Sequence, residues 1–242
     1  SSYVMLGQIN QAVPVAQAMR DAGIESQLAN LVLISQAISD DDWGAVFVAL
    51  EEGHTVSPLV DGLLQSWAAL GQGDMTQAIA SFDEVSEGDG LRAYGEYHKA
   101  LALASVGDFE GAATIFATPR SVGRAVNIRA AIAQVQILSQ LGRNDEAATL
   151  LTTMFGVNND PEINGLLAKV SAGETVPFTI LTTPRQGACE VIYMIATLLE
   201  GEARDSYTLQ YSRLAQHLDP DRSDAIMLSA KILDDMERYQ LA

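Results

Sequence analysis

The chain has 242 residues, 48% of them hydrophobic and only 7 of them proline, which is enough apolar side chain for a large core and excludes a disordered or collagen-like polymer. Its 31 acidic and 14 basic residues give a formal charge of -17 at pH 7, a field that repels phosphate backbones and anionic lipid and argues against nucleic acid as a partner. The single cysteine, Cys189, can neither close an internal disulfide nor hold zinc alone, so no structural metal and no cofactor is expected.

From the N-terminus, Ser1 to Leu6 is neither basic nor followed by a cleavage signature. No uninterrupted run of about 18 apolar residues follows, so no direct insertion into a bilayer is expected. Gly7 with Ala12 opens a phrase that recurs as Gly73-Asp74 with Ala78 and as Gly107-Asp108 with Ala112. Together Gly7, Asp41, Gly73, Gly107, Gly142, Ala203 and Glu237 are spaced by 34, 32, 34, 35, 61 and 34 residues. A period in the thirties on helical patterning predicts an all-α array of antiparallel helix pairs, each burying its apolar face against its neighbours.

Asp40-Asp41-Asp42 precedes Trp43 to Leu50, a helical pattern, and Ala45 stands where a calcium loop needs glycine. The aspartates therefore read as charges at a helix N-terminus. Next, Leu59, Leu63, Leu64, Trp67 and Leu70 form one apolar stripe, and Ala78, Ile79, Phe82 and Val85 form the facing one. Between them, Gly71-Gln72-Gly73-Asp74 follows a helix and lacks a third glycine, so it is a turn and not a dinucleotide loop. The Ala78/Phe82 pair returns as Ala112/Phe116 and as Ala147/Leu151. The 61-residue interval predicts an irregular insertion: a short helix over 160–171 with Pro161 in its first turn, then an extended, β-branched stretch over 173–185. That stretch either packs Phe178, Ile180 and Leu181 over a defective repeat or sits at a binding surface. The expected division is one solenoid with N-terminal repeats over 1–157, the insertion over 158–185 and C-terminal repeats over 186–242.

The stretches from Leu59 to Phe116 and from Arg204 to Ala242, the latter with Ala215, Asp219-Pro220, Ala225, Leu228, Ala230, Leu233 and Tyr239-Gln240-Leu241-Ala242, resemble the tetratricopeptide repeat family in a divergent bacterial form. The resemblance covers nearly the whole chain, although most repeats lack the family's terminal proline. It implies an α-α superhelix of about six full or partial repeats. It also implies a concave face lined by residues ten, six and three before each turn. Those are Leu31, Ser35 and Ile38; Leu63, Trp67 and Leu70; Tyr97, Leu101 and Ala104; Ile132, Gln136 and Ser139; Tyr193, Thr197 and Glu200; and Met227, Lys231 and Asp234.

With Tyr94 added, the apolar N-terminal half yields the expected peptide groove of Leu31, Leu63, Trp67, Leu70, Tyr94, Tyr97 and Leu101, since aromatics contribute contact area at little entropy cost. Some of these side chains read equally as core between repeats. The implied function is a protein- or peptide-binding scaffold or adaptor, not an enzyme. The family's lysine and asparagine clamp for a C-terminal carboxylate is not reproduced, because only Lys231 falls at a matching offset. Both ends interrupt repeats, which predicts a fragment of a longer protein, with a targeting segment outside it, the cytoplasm or periplasm left open, and terminal faces that could self-associate.

The alternative is a regulatory or catalytic helical domain with a pocket near Cys189 and Phe178, into which Gln186, Glu190 and Tyr193 would converge. Against it, Cys189 lies among Val191, Ile192 and Ile195 with only Arg185 as a local cation, and reads as a buried hydrophobe. His54, His98 and His217 fall on different repeats and read as surface or capping residues.

Overall fold

The computed structural model describes residues 1–118, 124–156 and 160–238. Among these residues the regular structure is entirely α-helical. The helices are α1 Ser2–Met5, α2 Ile9–Asp21, α3 Gln27–Ser39, α4 Trp43–Glu51, α5 Pro58–Gly71, α6 Met75–Glu87, α7 Arg92–Ser105 and α8 Phe109–Phe116. They continue as α9 Arg124–Gln140, α10 Asn144–Phe155, α11 Pro161–Ser171, α12 Pro184–Leu199, α13 Asp205–Leu218 and α14 Ser223–Asp235. No described helix is long and apolar enough to cross a membrane.

The periodic phrase is a stop-and-start signal for helices. Gly73 and Gly107 take φ of 82° and 89°, a left-handed conformation in which a Cβ would be strained. The N–H of Gly73 bonds Leu70 O and that of Asp74 bonds Ala69 O; Gly107 and Asp108 repeat this on Ala104 and Leu103. This paired closure satisfies the carbonyls left open at a helix C-terminus. The aspartate then starts the next helix: Asp74 accepts from Gln77 N–H and Asp108 from Gly111 N–H, each at 2.9 Å. Asp41 and Glu237 adopt the same positive φ without being glycine. At the remaining predicted turn the left-handed residue is Gly201, two positions before Ala203.

Asp42 accepts from Ala45 N–H and caps α4, in keeping with a helix start instead of a calcium loop. In the insertion, α11 begins at Pro161 under an Asp160 cap, and residues 174–183 carry no helix or strand. α12 then starts at Pro184.

The chain gathers into two compact units, one of residues 1–85 with 184–242 and the other of 86–183. This grouping is not the linear order of repeats. In the first unit, α12 packs on α5 and touches α3, and α13 packs on α1 and α3. Its core includes Leu31, Leu63, Leu64, Trp67, Phe82 and Ile192, all with under 2% exposure. In the second unit, Val135, Leu138, Ala147, Leu151, Ile163, Val170 and Val176 form one cluster joining α9, α10, α11 and the extended segment.

Candidate functional site

The residues expected to line an open groove are placed mostly in the core. Leu31, Leu63 and Trp67 have essentially no exposed surface, and Leu70 is buried at the end of α5. Trp67 meets the edge of Phe82 at 5.6 Å between ring centroids. Its other neighbour is α12: a Cβ on Gly187 would land on the indole ring, so only glycine lets this helix approach. The face of α5 that was to hold a partner thus holds the chain's own helix. In the second unit Leu101 is fully buried, Tyr97 is largely buried and Tyr94 is half-buried. Of the seven, Tyr97 borders an open cleft.

That cleft has a volume near 550 Å³ and lies among α7, α8, α9 and α10. Its apolar walls come from Tyr97, Ile115, Phe116, Ala130, Leu150 and Met154, with Glu96, Asn127 and Gln134 as polar groups. A second hollow of about 560 Å³ shares Ala117, Gln134 and Leu150 with the first and carries Arg143, Asp145 and Glu146. α8 stops after eight residues at Phe116, whereas α6 runs for 13 and α10 for 12. Phe82 and Leu151, at the equivalent place, are fully buried; Phe116 is only half-buried and becomes a wall of the cleft. Sequence reading missed this surface, although Pro119, three residues after Phe116, signals that the helix cannot continue.

The opposite face of α9 is already occupied. Gln136 accepts the Thr179 N–H at 2.8 Å and donates to the Thr179 hydroxyl at 3.0 Å. The Ser139 hydroxyl accepts from Val176 N–H at 2.8 Å and donates to Glu174 O at 3.3 Å. Gln140 donates to Val176 O at 2.6 Å, and Asn144 donates to Glu174 O at 3.3 Å. Gln136 and Ser139 are the residues the repeat register assigned to the concave face. The packing of the insertion differs from expectation in one respect: Val176, with Leu181, takes the buried role, while Phe178 and Ile180 are half-buried. Phe178 meets the ring of Phe109 at 6.4 Å.

The titratable candidates are dispersed. Cys189 is fully buried, its thiol donates to Ala215 O at 3.2 Å, and burial pushes it up to about 12, leaving it protonated at neutral pH. The nearby cation is Arg222, whose Nη1 lies 3.8 Å from Sγ; Arg185 instead pairs with Asp41 at 2.6 Å. Arg222 is itself tied to buried Glu190 at 2.8 Å and to Asp224 at 2.8 Å, and its guanidinium stacks 4.2 Å from the Tyr193 ring centroid. Burial opposes its charge, but these anions outweigh burial and hold Arg222 well above its ordinary range. Phe178 belongs to the other unit.

His54 sits 3.6 Å from Glu52 near the surface. His98 corrects the expectation of a surface or capping role: it is fully buried, edge-on to Tyr97 at 5.2 Å. His217 is half-buried, and burial holds it below its ordinary 6.5, with Asp40 opposing and Arg185 reinforcing the shift. No group of three His, Cys, Asp or Glu side chains among the described residues could hold a metal ion. Comparison with known proteins returns no counterpart: no family model, no curated protein and no solved structure matches the chain.

Proposed function

We propose that the chain is a protein- or peptide-binding scaffold of divergent tetratricopeptide type, and that its contact surface is the cleft formed by α7 to α10. The observation that carries this reading is an open, largely apolar hollow of about 550 Å³ with an aromatic side chain, Tyr97, in its wall. Such hollows, with a few polar groups placed among apolar walls, are where side chains of a partner gain most from burial. Met154 leaves 46% of its surface exposed at the cleft, an unbranched thioether that adapts to an incoming apolar group. The turn register supports the repeat assignment, because six of its seven predicted turn residues have positive φ.

Ala130→Trp and Met154→Glu test the site by filling the cleft and by charging its wall. Partner captured by the wild-type chain from its native extract should fall about tenfold with either variant, the order expected on losing one well-buried contact. Ile226→Glu, at an exposed position of α14, should leave capture unchanged. Equal capture by all three chains, with helical circular dichroism preserved, removes the cleft from consideration.

A further inference from the structure

We propose that the polar face of α9 is a binding site for an extended peptide with apolar residues at alternate positions, and that residues 174–180 are its displaceable occupant in the isolated chain. This site faces away from the cleft and stands or falls independently of it. At roughly 100° per residue, Asn127, Ala130, Ala131, Gln134 and Leu138 fall on one side of α9. Gln136, Ser139 and Gln140 fall on the other, and Asn144 at the start of α10 extends their row.

The contacts along this row go to main chain, except that Gln136 also donates to the Thr179 hydroxyl. Glu174 O, Val176 N–H, Val176 O and Thr179 N–H are each bonded by a side chain from Gln136, Ser139, Gln140 or Asn144. Side chains at helical spacing therefore supply the donors and acceptors that a neighbouring strand would supply in a sheet. The occupant behaves as a strand does. Val176, Phe178 and Ile180 are buried or half-buried, while Thr175, Pro177 and Thr179 between them are exposed. Recognition mainly through backbone groups, with a hydroxyl at the place of Thr179 and apolar side chains at alternate positions, defines a pattern that another extended segment can present to the same row. The segment runs from the closure of α11, where the N–H groups of Gly173 and Glu174 bond Val170 O and Lys169 O, to the start of α12 at Pro184.

Because the resident segment is tethered, it competes at an effective concentration of about millimolar. A free peptide binds the wild-type chain only in the fraction of molecules whose segment has left. The test uses the full chain with 174–180 replaced by seven glycine and serine residues, and a fluorescent peptide of sequence ETVPFTI. The replaced chain should bind the peptide saturably and at least tenfold more tightly than wild type. Adding Gln136→Ala and Ser139→Ala should abolish binding. A folded replaced chain that ignores millimolar peptide, or binds it equally without Gln136 and Ser139, overturns the proposal. Should the replacement fail to fold, hydrogen exchange on the wild-type chain decides. The Val176 and Thr179 amides should exchange faster than the core amides of α9, and exchange only by opening together with that core overturns the proposal.

Discussion

Trp67 shows what a single residue can and cannot disclose. Its position in the repeat register made it a contact for a partner, and its size made it equally suited to a core. The tertiary structure places it between Phe82 and Gly187 with no exposed surface. Two substitutions follow from that packing. Trp67→Ala removes a large buried ring and should cost about 3–5 kcal/mol. Gly187→Ala drives a methyl into the indole and should cost about 1–3 kcal/mol through displacement of α12. Both should appear as lowered midpoints in urea or thermal unfolding, and a wild-type midpoint for Gly187→Ala would contradict the close approach of the two helices. The same logic separates Cys189 from chemistry: its helix partners were legible in sequence, whereas Arg222, 33 residues away, arrives only through the pairing of α12 with the C-terminal helices.

Among the helices, turns were legible and faces were not. Gly73-Asp74 and Gly107-Asp108 terminate one helix by a left-handed residue and begin the next by a side-chain cap, and both jobs depend on neighbours within six residues. Asp108→Ala removes the cap of α8 and should destabilise the second unit by about 1 kcal/mol. Asp108→Asn, which keeps the acceptor, should restore most of the loss in the same denaturation experiment. The extended character of 174–183 was likewise readable from its prolines and β-branched residues. Its packing was not: the expected anchors Phe178 and Ile180 are half-buried, and Val176 joins the core. A period of two marks which side chains share a side, but the row on α9 that receives them selects the register. The cleft beside Tyr97 was missed because the sequence pairs Phe116 with Phe82 and Leu151, and only the packing shows Phe116 half-buried in a cleft wall where the other two are core.

For the whole chain, the decisive fact is that residues 184–242 complete the unit begun by residues 1–85. A linear array would tolerate loss of its last repeats, whereas here α12 covers α5 and α13 touches α1 and α3. A chain ending after residue 183 should therefore lose its cooperative unfolding transition in the first unit and aggregate, read by circular dichroism and light scattering. Retention of a sharp transition would favour independent N-terminal repeats. By itself the sequence determined the helical class, six of the seven turn positions, the insertion and the absence of a long apolar span, because these follow from local propensity, capping and periodicity. Only the tertiary structure decided which apolar faces meet each other and which meet solvent, because Leu63, Trp67 and Tyr97 carry the same hydrophobic signal whether another helix or a partner covers them.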